Sequence, residues 1–304
     1  MQSLTPLTPK TISIAPMMGW TNPSMQKLIK TIAPNMIFYS QMYHVEAVLR
    51  KPEKLTYSAE NFVLQIGGSC PERFFRAGHI LKSLGINKIN INVGCPSPKV
   101  QKGNFGACLM REPQLVADCL NALVVNYSVD QLSVKCRLGV DHDDSEQFLH
   151  QFLDTIHEST SIKNFIVHAR KAWLSGLNPK QNRDIPPLNY DRVYTLKKKY
   201  PEFHIGINGG ITGINSIINH LELCDEVMIG RLVLNDLYEI HRIDALINEC
   251  TLYSRKELLG QLTHYDKDTG RFLQSLYKGL PGCKGWRRKL PEIKDLRQLL
   301  TISG

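Results

Sequence analysis

Cys95 stands on the first loop after an alternating run of apolar residues and asparagines, within KININVGCPSPKVQKGNFGACLM, residues 88–110. Ile89, Ile91 and Val93 alternate with Asn90 and Asn92, the two-residue period of a strand, and the pattern breaks at Gly94 into Cys95-Pro96. The remainder is a basic, Gly-rich loop (Lys99, Lys102, Gly103, Gly106) that returns to apolar residues at Leu109 and Met110. Free cysteines are commonly buried and inert, but a thiol on a loop carried by a rigid scaffold stands where chemistry tends to sit. The surrounding residues decide between the two.

Polar groups recur at the same point of other strand-like runs: Gln41, Gln65, Lys135, His168, Asn208-Gly209-Gly210 and Gly230-Arg231, with the apolar pair Met17-Met18 at the end of the first. Singly each has a bland explanation, a strand-edge charge for Lys135 or a satisfied core histidine for His168. Together they do not, because a buried amide or ammonium without a partner costs about 1–3 kcal/mol or more. Glycines that admit close backbone approach, followed by an arginine with several donors, suit a phosphate group. Met17-Met18 and the Gln65 amide suit a flat heteroaromatic ring, and Lys135 can place positive charge beside it. The composite reads as a phosphate-bearing flavin, FMN, although phosphorylated sugars bind Gly-rich turns in the same way.

The elements that must position these groups are eight β-rich runs, at 12–17, 36–42, 62–68, 88–94, 132–138, 164–169, 204–208 and 226–230. Amphipathic stretches lie between them at 24–32, 71–84, 113–127, 145–157, 190–200 and 215–223, with a weaker one at 44–55. Eightfold strand–helix alternation predicts an α/β fold, a (β/α)8 TIM barrel, whose active site lies at the C-terminal ends of the strands. A doubly wound open sheet is the competing topology; the count of eight and the lack of GxGxxG after the first strand weigh against it. After about residue 247 the alternation stops. Helical patterns at 252–262, 269–278 and 291–301, separated by GLPGCKGWRRKLP, predict a small all-helical C-terminal domain. The expected domains are therefore residues 1–245 and 246–304.

Composition bounds the partners. The 304 residues are 42% hydrophobic and 21% charged, with a net charge of +9, ordinary for a globular chain but basic enough to attract phosphate polyanions. From Leu246 to Gly304, 11 Lys and Arg face 6 Asp and Glu, so much of the excess lies in the helical segment. The long loop HARKAWLSGLNPKQNRDIPPLNY, residues 168–190, carries Arg170, Lys171, Lys180 and Arg183 around Trp173, a mixture suited to phosphate neutralisation and base stacking. No run reaches the roughly 18 apolar residues of a membrane helix. The first ten residues lack the features of a signal or transit peptide, and eight cysteines without a CxxC pair indicate neither a disulfide framework nor a metal site. A cytoplasmic setting is expected.

The motifs APMMGWT (15–21), LQIGGS (64–69), INVGCPSPKVQKGNFGACLM (91–110), VKCRLG (134–139), HARKAWLSGL (168–177) and INGGI (207–211) resemble the tRNA-dihydrouridine synthase family. HARKAWLSGL and the late GWRR, residues 285–288, are similar to its A-type members. The resemblance implies an oxidoreductase with tightly bound FMN that reduces D-loop uridines of tRNA, at positions 20 and 20a for the A type, and is re-reduced by NADPH. Hydride would go from reduced FMN to C6 and a proton from Cys95 to C5. It further implies FMN contacts at Pro16, Met17, Met18, Gln65, Lys135, His168, Asn208, Gly209, Gly210, Gly230 and Arg231. Asn92 would meet the target base, and Lys180, Arg183, Arg287 and Arg288 the rest of the tRNA. No metal, membrane or protein partner is expected, and the chain is expected to be a monomer. Only sixteen residues follow Arg288, fewer than relatives carry there, which implies a shortened helical bundle. Two other readings stay open: a non-catalytic RNA-binding barrel, and a small-molecule flavin reductase of the dihydroorotate dehydrogenase kind.

Overall fold

The computed structural model describes residues 10–302; the first nine, on which the expectation of no leader largely rests, lie outside the described residues. Nine strand segments alternate with helices: β1 (Thr11–Ile14), β2 (Ile37–Tyr39), β3 (Tyr43–His44), β4 (Phe62–Gly67), β5 (Ile89–Asn92), β6 (Leu132–Arg137), β7 (Asn164–His168), β8 (His204–Asn208) and β9 (Glu226–Ile229). Every pairing is parallel. Strand β1 bonds to both β2 and β9, and β2 bonds to β4, so the sheet closes on itself. Strands β2 and β3 both pair with β4 and together make one stave, giving the eight-staved barrel that the alternation predicts.

The strand expected at 36–42 is shortened to Ile37–Tyr39, and pairing resumes only beyond it, at Tyr43–His44. The break falls at Ser40, whose hydroxyl accepts from the Gln65 N–H at 3.0 Å and donates to the Gln41 carbonyl at 2.8 Å. A side chain replaces a rung of the backbone ladder there.

The outer helices follow from caps and periodicity. In the helix Glu146–Thr160, Ser145 accepts from the Phe148 N–H at 3.0 Å, satisfying one of the orphan donors of the first turn. Leu149, Phe152, Leu153 and Ile156 recur at helical spacing and are buried against the barrel. Truncating Phe152 to Ala would cost about 3–5 kcal/mol. Inside the barrel, Ala15, Tyr39, Val63, Ile166 and Met228 form a separate apolar layer. Below it the buried Glu226 carboxylate accepts from Ser13 and pairs with His204 at 3.0 Å, and above it lie the amides and cations of the mouth.

The C-terminal segment is helical over Arg255–Gly260, Lys267–Leu273, Cys283–Lys289 and Leu296–Ile302. The third of these corrects the expectation that GLPGCKGWRRKLP is a separating turn. The turn ends at Gly282, at φ +82°, and a helix follows because Trp286 has a place to go. Its indole is buried, donates to the Leu273 carbonyl at 2.8 Å and packs on Tyr277 at 4.7 Å. This segment docks on the barrel through Asn22 to Asp268 and Ser24 to Asp266, both at 2.6 Å. Arg271 lies 4.0 Å over the Trp20 ring and donates to the Gly19 carbonyl. No described helix is long and apolar enough to cross a membrane.

Candidate active site

Residues two apart on a strand share a face, so β6 sends Ser133, Lys135 and Arg137 into the barrel. The neighbouring strands answer with amides. Asn90 donates to Ser133 at 2.8 Å, Gln65 to Asn90 at 2.7 Å, and Asn92 to Gln65 at 2.8 Å. The buried Gln65 amide is thereby held from both ends. Lys135 Nζ donates to Asn208 Oδ1 at 3.0 Å, and Asn208 Nδ2 to the Met228 carbonyl at 2.7 Å. Burial, with Arg137 adding to it, pushes the Lys135 ammonium down to about 8. This is a half-buried cation at the mouth of a parallel barrel, where ligands bind.

Asn92 also builds the cysteine loop. Its Oδ1 accepts from the backbone N–H groups of Gly94 and Cys95 at 3.2 and 3.0 Å, turning the chain immediately after β5. Cys95 is half-buried there. Its carbonyl accepts from Ala107 N at 2.9 Å, closing the loop on Gly106. Gly106 has φ +79°, and a Cβ on it would stand 2.6 Å from the Cys95 carbonyl oxygen, so the closure requires glycine. Pro98–Lys102 is a short helix inside the loop, capped by Ser97. Gln101 bonds outward to the Leu174 carbonyl at 2.7 Å.

Across the mouth, Gly209 and Gly210 have φ +118° and +69°; a Cβ on Gly209 would meet His168 Nε2 at 3.1 Å, and one on Gly210 would meet Leu188 at 2.5 Å. His168 is held neutral, well below the usual histidine range, by burial and by the cations Arg137 and Lys135. Its buried Nε2 has no hydrogen-bond partner. A buried ring nitrogen left open beside two backbone glycines fits a polar heteroaromatic ligand. Gly230 and Arg231 stand at the end of β9, but Arg231 is largely exposed and pairs with Asp184 at 2.7 Å. Pro16 and Met17 are half-buried in the turn after β1, where Met17 N donates to Thr21 Oγ1 at 2.9 Å. Met18 is 64% exposed, an apolar side chain at the open rim.

Lys180 and Arg183 lie exposed on the loop after β7, and Arg287 and Arg288 lie exposed on the helix Cys283–Lys289. Arg183 lies near enough to the mouth for its charge to act on Arg137 and His168; Arg287 Nε donates to the Gln274 carbonyl at 3.3 Å.

Three residues absent from the expected set prove central to the architecture. Arg137 is buried and donates to the carbonyls of Gly94, Lys171 and Asn182, and its position two residues after Lys135 signals the inner face. Asn182, fully buried, accepts from Trp173 N and donates to the Trp173 carbonyl, folding the loop after β7 on itself; nothing in the sequence separates it from its exposed neighbours. Asp184 is an acid in a basic loop. Two cavities, of about 270 and 240 Å³, are lined by none of these three residues. The converging polar side chains, with their shifted protonation, mark the mouth as the site.

A parallel barrel with a cationic, amide-lined mouth is a TIM barrel whose candidate active site lies at the C-terminal ends of its strands. The profile "Dihydrouridine synthase (Dus)" matches residues 13–300, and the chain belongs to that family. It is 41% identical to the tRNA-dihydrouridine(20/20a) synthase of Shewanella oneidensis, covering 93% of this chain and 88% of that one. The proteins of the same name from Xylella fastidiosa strain 9a5c and Escherichia coli K12 are 40% and 39% identical, each over 92% of this chain and 86% and 85% of theirs. Among solved structures, morphinone reductase shares the fold at a TM-score of 0.51 and 8% identity, covering 81% of this chain and 87% of its own.

Proposed function

We propose that the chain is a tRNA-dihydrouridine synthase acting on uridines 20 and 20a, with FMN as the flavin and NADPH as reductant. Its working form is a cytoplasmic monomer built from a catalytic barrel (1–245) and a helical tRNA-binding domain (246–304). The observation that carries the reading is the placement of Cys95 at the barrel mouth by Asn92, on the same rim as Lys135 and the open His168 Nε2. Gly209, Gly210, Gly230 and Arg231 would hold the flavin phosphate, and Lys135, His168, Asn208, Gln65, Pro16, Met17 and Met18 would hold its ring.

A reduced flavin held there would supply the hydride for C6 of the uracil. Cys95 delivers the proton to C5 as general acid, which completes the saturation of the C5=C6 bond and leaves a thiolate to be reprotonated from solvent. Asn92 orients the thiol through the backbone and faces the base. A stacked uridine cannot reach this mouth, so the nucleotide must be unstacked. Lys180, Arg183, Arg287 and Arg288 neutralise tRNA phosphates.

Incubation with unmodified tRNA and NADPH, followed by mapping of dihydrouridine, tests the proposal. Product confined to positions 20 and 20a is expected. Turnover of free pyrimidines without tRNA would favour the small-molecule reductase, and a protein that refuses flavin would favour the non-catalytic RNA-binding barrel.

A further inference from the structure

Arg231 occupies the corner of a barrel where phosphate groups bind, yet its guanidinium is engaged elsewhere: Nη1 donates to Asp184 Oδ1 at 2.7 Å. The carboxylate reaches across from the loop after β7. Both side chains are about half exposed, 52% for Arg231 and 41% for Asp184, and the Arg231 contact holds the Asp184 carboxyl below its usual range.

We infer that Asp184 holds Arg231 in the place of the cofactor phosphate and is displaced when a phosphate-bearing flavin binds, which makes Asp184 a determinant of cofactor affinity; the inference rests on the flavin reading of the site.

The loop is built to allow the exchange. The main chain around Asp184 is anchored independently of the carboxylate, because buried Arg170 donates Nη1 to the carbonyls of Asp184 and Pro186. Breaking the ion pair therefore frees a side chain without unfolding its loop. The same segment touches the other half of the phosphate corner. Tyr190 donates to the Gly209 carbonyl at 2.7 Å, and Leu188 covers Gly210. An exposed ion pair is worth little. A phosphate that also receives backbone N–H groups can win Arg231, which binds it through two donors. The freed carboxylate is left beside Lys180 and Arg183, whose charges already act on it.

The test is the affinity of flavin-stripped protein for FMN and for riboflavin, which lacks the phosphate, measured by flavin fluorescence. Asp184→Asn and Asp184→Ala are compared with wild type, alone and on an Arg231→Ala background. Both Asp184 variants are expected to bind FMN about two- to fivefold more tightly, the range an exposed ion pair spans. Riboflavin affinity should not change, and the gain should vanish when Arg231 is Ala. Unchanged or weakened FMN binding overturns the inference, as does an equal shift for riboflavin. A gain that persists in full without Arg231 overturns it too, because the carboxylate would then act by its charge alone. Wild-type protein that binds neither flavin sinks the cofactor reading together with the inference; wild type that binds FMN with indifferent Asp184 variants sinks the inference alone.

Discussion

Arg137 donates Nε–H to the carbonyl of Gly94 at 3.0 Å, one residue before Cys95, while its Nη1 reaches the carbonyls of Lys171 and Asn182 at 3.2 and 2.9 Å. One buried guanidinium thus ties the cysteine loop to the basic loop after β7. Burial lowers its proton affinity to about 10, and the proximity of Cys95 works against that. No carboxylate pairs with it among the described residues, and its hydrogen bonds all go to backbone carbonyls.

Arg137→Lys keeps the charge but cannot span three carbonyls. It should lower stability by about 2–3 kcal/mol, the scale of hydrogen bonds to a charged group, and open both loops together. Limited proteolysis would read the opening as new cuts within residues 96–106 and 172–183 at the same protease concentration. Cuts in one loop only would show that the guanidinium does not join them.

Cys95→Ala should retain its flavin and be reduced by NADPH at the wild-type rate. Single-turnover reduction of uridine should fall by about 10²–10⁴-fold, the usual contribution of a positioned general acid. Cys95→Ser should recover little, an alcohol being a much weaker acid than a thiol. Near-normal conversion by flavin-replete Cys95→Ala would end the proton-donor assignment.

Neutralising Lys180, Arg183, Arg287 and Arg288 together should raise the KM for tRNA and flatten the salt dependence of binding, because each phosphate contact adds close to one unit to the slope of log K against log salt. NADPH oxidation without tRNA should be unaffected. An unchanged salt slope would mean that these side chains are only a solvated face.

Lys135 gives a pH signature in flavin-free protein. Its folded-state value is pushed from 10.5 down to about 8, chiefly by burial, so between those values the unfolded chain binds the extra proton. Its contribution to unfolding free energy therefore rises with pH across that window and is flat below it. Urea titrations at several pH values should show this slope in wild type and a shallower one in Lys135→Met. Parallel slopes would mean that Lys135 titrates normally.

Local pattern was enough for the barrel and for which strand ends face its mouth. Strand–helix alternation is local, written in period-2 and period-3.6 burial, and eight repeats leave few ways to close a parallel sheet. A residue that ends a barrel strand stands at the mouth by construction, which is why Cys95, Lys135, His168 and the Asn208–Gly210 turn were legible from position alone. The tertiary structure decided what those groups bond to. Ser40 broke a strand because its hydroxyl met the Gln65 N–H across the ladder. Trp286 made a helix of a Gly-rich turn because the Leu273 carbonyl was within reach of its indole. Asp184 found Arg231 from 47 residues away. Pairings of this kind depend on which loops fold over which strand ends, and no local pattern encodes that.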